Sequence, residues 1–333
     1  MLISIQFLRA YASLIVVLHH ITYKDKIYGN DVLSFFTFGE IGVDIFFIIS
    51  GYIMMYSTHR KPVKAKDFII NRVIRIIPLY WVLTICALII FMVLPDKVNS
   101  SGGTTVIFES FFLLPTEGKY LIQNGWTLRY EFLFYFIFMF SLFLNNKKYI
   151  LIIITTLVLL GLFIESENIY FNFITKDLIL EFVFGIFLYF LFYKYGKDKD
   201  NLKLSIFFIV ISFILLYFLL QNENTMRYRS IYYGIPAFLF TYGIILIENF
   251  FTKYKKYILP LGNSSYSLYL VHPFILVANI IILKNFYSEK IFFDIILIFS
   301  MLIFSIIAGL LVYYYIELNL ISFFKKFKMK KKV

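Results

Sequence analysis

The sequence predicts an all-α, polytopic membrane protein of about ten transmembrane helices with both termini in the cytoplasm. Three observations carry that prediction. Of 333 residues, 61% are hydrophobic and only 16% are charged, too few polar side chains to cover a soluble domain of this length. The apolar runs recur from one end of the chain to the other rather than gathering in one core stretch. The basic residues fall between those runs and alternate in density from one connection to the next.

With about 20 apolar residues as the length of a span, helices are expected over 2–23, 34–57, 73–94, 125–144, 149–165, 175–194, 203–221, 230–250, 264–284 and 291–317. The connections after the even-numbered helices, together with the C-terminal tail, hold 21 Lys and Arg. Those after the odd-numbered helices hold 9, and this asymmetry is what predicts cytoplasmic termini. The basic tail 322–333 then reads as a cytoplasmic anchor on an anionic leaflet. Topology accounts for the net charge of +12, and no nucleic-acid partner is expected. The first apolar run has no basic stretch before it and no small-residue cleavage site after it, so it reads as a retained helix. One cysteine, Cys86, supplies neither a disulfide framework nor a thiolate metal site, and no metal is expected. No polar block exceeds about 30 residues, so 1–333 is expected to be a single integral-membrane domain. The apolar stretch Val106 to Leu114 is too short to span and reads as re-entrant or interfacial. The chain carries no internal repeat of the kind on which many transporters are built.

Ionisable residues inside spans are expensive and mark functional positions. Arg9 and His20 are eleven residues apart, which returns them to within about 20° on one helix face, about 16 Å apart along the axis. His19 points roughly 80° away, so the geometry selects His20. Asp44 lies in "GEIGVDIFFIISGY", about two turns inside the second span, where a buried carboxylate needs a partner. Gly39, Gly42, Ser50 and Gly51 in the same stretch would let helices approach closely. Thr127, Glu131 and Tyr135 share a face of the fourth span. His20, Asp44 and Glu131 are thus expected to converge at one depth, although an ion pair would account for any one of them alone. Arg72 and Arg75, in "NRVIRIIPLYW", are one turn apart at the cytoplasmic face. They suit either plain anchoring or a clamp for phosphate. "PLGNSSYSLYLVHPF" introduces the ninth span, with Ser264 or Ser265 as the expected cap and His272 mid-helix before Pro273. Trp126, Tyr130 and Tyr266 near helix ends fit either a sugar-stacking groove or an interfacial belt.

Together these motifs resemble the membrane acyltransferase family 3, whose members O-acylate bacterial surface glycans. Arg9 and His20 match its R-x10-H signature, and Gly39 to Tyr52 its GxxGVDxFFxxSGY stretch. Arg72, Arg75, Ile76, Pro78, Tyr80 and Trp81 match RxxRIxPxYW. Trp126, Thr127, Leu128, Glu131, Phe134 and Tyr135 match WTLxxExxFY. A late SYxxYLxHxP-like motif appears as Ser265, Tyr266, Tyr269, Leu270 and His272, with Pro273 directly after the histidine instead of two positions on.

The resemblance covers nearly the whole chain. It implies a ten-helix domain in the bacterial cytoplasmic membrane that takes an acyl group, usually acetyl, from cytoplasmic acyl-CoA. That group is passed to a hydroxyl of an exopolysaccharide, capsule, O-antigen or lipid-linked sugar. Acetyl-CoA is then a donor substrate, not a resident cofactor. On this reading Arg72, Arg75 and Tyr80 meet the donor, and Trp126, Tyr135, Tyr266 and His272 line the tunnel or acceptor groove. His20 acts as general base or becomes acylated, Asp44 or Glu131 orients it, and Arg9 binds donor or stabilises developing charge. The competing readings are a transporter or flippase of an anionic or lipid-linked substrate, and an acyltransferase for a non-glycan small molecule.

Overall fold

The structure, a computed structural model, describes residues 2–27, 32–36, 38–59, 62–95, 98, 103–144, 146–195, 200–221, 228–283 and 291–330. The first half of the chain forms α1 (Ile3–Ile27), α2 (Ile41–His59), α3 (Ala65–Val93), α4 (Ile107–Phe112), α5 (Gly125–Phe143) and α6 (Lys148–Phe163). α7 (Ile169–Ile174), α8 (Leu180–Tyr195), α9 (Leu202–Leu219), α10 (Ile235–Ile245) and α11 (Glu248–Lys253) follow. The chain then runs through α12 (Lys255–Leu283), α13 (Ile291–Val312) and α14 (Leu318–Lys330). Two two-residue strands, β1 (Thr105–Val106) and β2 (Lys119–Tyr120), pair in parallel and are the one departure from the all-α expectation among the described residues.

Seven helices among the described residues are long and apolar enough to cross a membrane, consistent with a multi-pass membrane protein. Three of the ten expected spans correspond to shorter helices. α6 and α8 have 16 residues each, and a π-helical turn, Ser230–Gly234, leads directly into the 11 residues of α10. Sixteen residues at 1.5 Å each give about 24 Å, less than a hydrocarbon core of about 30 Å.

Two helices begin earlier than their apolar runs. α3 starts at Ala65, with Asp67 in its first turn where the helix dipole favours a negative charge. α12 starts at Lys255, so Ser264 and Ser265 are not caps. Their hydroxyls donate to the carbonyls of Leu261 and Gly262 inside the helix, which satisfies them without ending it. α13 is joined to α14 by a π-helical turn, Tyr313–Glu317. The basic tail is therefore helical to Lys330, and Lys328 pairs with Asp67 of α3 at 2.9 Å. Its last residues, 331–333, lie outside the described residues.

Glycines set how the helices meet. α1 and α2 are antiparallel: a Cβ on Gly39 would lie 2.6 Å from the His19 Cβ, and one on Gly42 would lie 2.5 Å from the Ala12 carbonyl oxygen. α2 and α8 run parallel, Phe47 against Phe182 and Tyr52 against Tyr189. At their crossing a Cβ on Gly185 would sit 1.9 Å from the Ile48 oxygen, and one on Gly51 2.1 Å from the Phe182 oxygen. Backbone stands against backbone there, with no side chain to give way. α12 runs parallel to α1, from Gly262 beside Gln6 to His272 beside His20.

Gly185→Ala should therefore force α2 and α8 apart. A loss of about 1–3 kcal/mol is expected, read as a lowered thermal midpoint of the detergent-solubilised protein; an unchanged midpoint would mean that the two helices do not cross at this point.

Candidate functional site

The bundle has two chemically distinct ends. The basic end carries the first turns of α1 and α3 together with α14. The histidine end carries the C-terminal part of α1 with His19 and His20, and the first turn of α2.

A cavity of about 620 Å³ opens between α1, α2, α3, α5 and α12, with the π-turn and α14 on its rim. At the basic end it is lined by Asn71, Arg72, Arg75 and Lys325, and its other limit is formed by Phe46, Thr127 and Tyr269. Arg9, Ser50, Glu131, Tyr135 and Tyr266 line it between these limits. The helices put them there by ordinary periodicity. Arg72 and Arg75 occupy successive turns of one α3 face, and Thr127, Glu131 and Tyr135 repeat every four residues along α5.

The charge balance of this cavity is positive. Four cations line it, Arg9, Arg72, Arg75 and Lys325, against one lining carboxylate, Glu131. Arg75 is answered from behind by Glu317 of the π-turn at 2.5 Å, and Glu317 also accepts from the Ser267 hydroxyl. Glu131 accepts hydrogen bonds from the hydroxyls of Tyr135 and, at 3.3 Å, Ser50. Arg72 has no ion-pair partner among the described residues; its buried Nε donates to nothing, and its guanidinium lies over the Phe68 and Tyr135 rings at 5.7 and 6.0 Å. Two carboxylates against four cations leave an excess of two positive charges in a partly enclosed space. Such a space favours an anion, and the unsatisfied guanidinium Nε is a ready donor to one.

Beyond Tyr269 the aromatic wall continues to the histidine end. The Tyr269 hydroxyl exchanges a hydrogen bond with Thr127 at 2.9 Å, and its ring lies 6.2 Å from that of His272. The His272 ring is in turn 5.1 Å from that of His20. His272 is fully buried, with Nδ1 donating to the Leu268 carbonyl at 3.1 Å and Nε2 without a partner. A carbonyl only accepts, so this bond assigns the proton to Nδ1 and leaves Nε2 as a bare acceptor.

Several expectations need correction. His20, Asp44 and Glu131 do not converge at one depth. The antiparallel pairing at Gly39 and Gly42 puts Asp44 about 10 Å along the axis from His20. Glu131 meets Ser50, six residues and about 9 Å further toward the basic end. Neither carboxylate therefore orients His20; the ring beside it is that of His272, with the His19 ring 5.7 Å away on its other side. Asp44 is instead held by Arg229, whose Nε and Nη2 each donate to it at 2.9 Å. Arg229 Nη1 donates to Glu40 at 2.8 Å, and Trp126 and Tyr233 flank the guanidinium at 5.8 and 4.8 Å. Glu181 stands beside Asp44, fully buried, and neither of its oxygens accepts a hydrogen bond.

Trp126 thus stacks on Arg229 and does not line the cavity, and His272 lies one residue layer behind it. Tyr80 does not face the cavity either. It is fully buried, and its hydroxyl donates to the Ser110 carbonyl at 2.6 Å while Trp81 donates to that of Phe111 at 2.9 Å. The Tyr-Trp pair of α3 clamps α4, the short apolar segment that does not span. Sequence alone gives no site role to Arg229, Glu40, Ser50, Tyr269, Glu317 or Lys325, although Ser50 and Tyr269 lie inside its motifs. The unpaired Asp44 was the one signal for Arg229, since a carboxylate buried in a span demands a cation from somewhere.

Asp44→Ala should leave the Arg229 guanidinium buried with half its bonds gone and destabilise the protein by about 3–5 kcal/mol. Adding Arg229→Met should recover part of that loss, and thermal unfolding of the single and double variants checks both.

The profile of a family described as an acyltransferase domain matches residues 2–314. The chain is similar to the exopolysaccharide production protein ExoZ of Rhizobium meliloti (strain 1021), 30% identical over 72% of this chain and 77% of that protein. It is 27% identical to the O-acetyltransferase OatA of Staphylococcus aureus (strain NCTC 8325 / PS 47) over 82% of this chain but only 50% of OatA. The acyltransferase MdmB of Streptomyces mycarofaciens is 28% identical over 40% of this chain and 38% of that protein. No solved structure matches the chain. The motifs carried by Arg9, Asp44, Arg72, Glu131 and His272 all fall inside the matched region, and the chain belongs to this family, the membrane acyltransferase family 3.

Proposed function

We propose that the protein transfers an acyl group, acetyl in the simplest case, from cytoplasmic acyl-CoA to a hydroxyl of a surface or lipid-linked glycan. Membership of an acyltransferase family supports the reaction class. The printed functions of two relatives, exopolysaccharide production and O-acetylation, support a glycan hydroxyl as acceptor. The observation that carries the donor is the cavity: an excess of positive charge around an unpaired Arg72 at one end, and a narrow aromatic wall leading toward two histidines at the other.

On this reading the basic end faces the cytoplasm of a bacterial cell, in agreement with the Lys and Arg asymmetry of the connections. The phosphates of the donor bind at Arg72 and Arg75, and its thin pantetheine arm lies along Ser50, Tyr135 and Tyr266. The thioester is directed past Tyr269, whose ring must turn aside to let the carbonyl reach His20. The acceptor hydroxyl arrives from the histidine end. Its oxygen attacks the thioester carbon, His20 takes its proton at a ring nitrogen, the C–S bond breaks, and the CoA thiolate leaves and is protonated. The His272 ring, 5.1 Å from that of His20 and with its Nε2 unprotonated, places no positive charge beside the base. Arg9 stands about 16 Å below His20 on the same helix face, too far to touch the reacting carbon, and belongs with the donor.

Purified protein in lipid should consume acetyl-CoA in the presence of a suitable glycan. His20→Ala should lower turnover by about 10²–10⁴-fold with donor binding retained, and Arg72→Ala should raise the donor KM. A fully active His20→Ala would remove His20 from the chemistry. Binding of a substrate without its consumption would instead favour a transporter.

A further inference from the structure

Among the cations at the cavity, Lys325 comes from a part of the chain that the motifs do not reach. α14 repeats Ile321, Lys325 and Lys328 at intervals of four and three, so these three residues share one face. Ile321 and Lys325 line the cavity, and Lys328 is fixed to α3 by Asp67 and by the Asn71 side chain, each at 2.9 Å. Asn71 itself lines the cavity, one residue before Arg72. The face that a leaflet anchor would turn to lipid headgroups is thus turned inward, against α3 and the cavity mouth. Lys326 and Phe327 are exposed.

The cations are also ordered by depth. Arg9 is innermost. Arg72 and Arg75 follow on α3, Arg75 already partly neutralised by Glu317. Lys325 is outermost and exposed, and among the described residues no carboxylate pairs with it. An acyl-CoA entering thioester first presents its anionic groups in a matching order. The pantetheine arm passes inward, the diphosphate follows, and the ribose 3′-phosphate comes last. Planar, forked guanidinium groups suit the diphosphate, and a mobile ammonium on a flexible stem suits a terminal phosphate monoester.

We propose that α14 is part of the donor site, with Lys325 binding the 3′-phosphate of the CoA nucleotide and the Lys328 bridge to Asp67 and Asn71 holding the helix in place. This assignment rests on the donor reading above. It makes the C-terminal helix the element that distinguishes CoA from its 3′-dephospho form.

The experiment is equilibrium binding of CoA and 3′-dephospho-CoA to the full-length protein in lipid nanodiscs, for wild type and for Lys325→Ala, Lys325→Arg and Lys326→Ala. Wild type should prefer CoA. Lys325→Ala should weaken CoA about fivefold and leave 3′-dephospho-CoA unchanged, while Lys325→Arg retains the preference and Lys326→Ala binds as wild type. The difference should shrink in about 1 M salt, as expected for an exposed charge pair. If wild type prefers CoA and Lys325→Ala keeps that preference, binding both ligands as wild type does, the assignment of Lys325 fails and the donor reading stands. Equal weakening of both ligands by Lys325→Ala would also overturn the 3′-phosphate assignment. If wild type binds neither ligand, the donor reading falls and takes this proposal with it. Because Lys325 is exposed, its substitution removes no packing, and Lys326→Ala controls for a general effect of tail charge.

Discussion

A guanidinium inside a membrane protein must be either neutralised by acids or left facing a place where an anion can come. The rest of this structure follows from how its arginines are divided between those fates. Arg229 is enclosed by Asp44 and Glu40, with two aromatic rings over its faces, and its charge is answered within the bundle. It ties the chain just before α10 to the first turn of α2, and so helps to fix where α2 stands against α1 and α8. Arg75 is half engaged through Glu317. Arg72 is unpaired, and its side of the bundle is where the space opens. Structure and site are separated by the same rule applied to neighbouring residues.

The helices that border the site are held at short range by glycine, so the geometry of the cavity is a property of backbones. Where Gly185 meets Ile48 and Gly42 meets Ala12, the contacts are to carbonyl oxygens, which cannot change rotamer. Moving α2 by the width of a methyl group would carry Ser50 away from Glu131 at one level and Asp44 away from Arg229 at another. The polar contacts are therefore consequences of close packing as much as causes of it.

Much of this was legible in the sequence, and the boundary of what was legible has a physical reason. Apolar run length located the helices, because the demand for internal backbone hydrogen bonding in lipid leaves few alternatives. Helical periodicity grouped Arg72 with Arg75, and Glu131 with Tyr135, correctly. It failed wherever two helices had to be placed against each other. The depth assigned to Asp44 and Glu131 assumed that positions counted from helix ends are comparable, and the true levels depend on where glycines let α1 and α2 touch. Arg229 was counted with the connections because it borders a polar stretch, although it is 6% exposed. Tyr80 was grouped with its motif neighbours by sequence, but one turn of helix rotated it toward α4. Lys325 was hidden for the opposite reason: a lysine-rich tail has an ordinary explanation, and only the pairing of Lys328 with α3 distinguishes the inward face from the outward one.

The walls of the cavity are drawn from Gln6 at one extreme of the sequence and Lys325 at the other. A chain emerging from the ribosome can insert its first helices and form the α1–α2 contact early, but it cannot enclose this space until α14 has been made and has swung back to Asp67. Through most of its synthesis the protein is a set of inserted helices with an open groove and unpaired basic side chains. A product interrupted before α14 would keep nearly all of the family's motifs and still lack one side of the entrance.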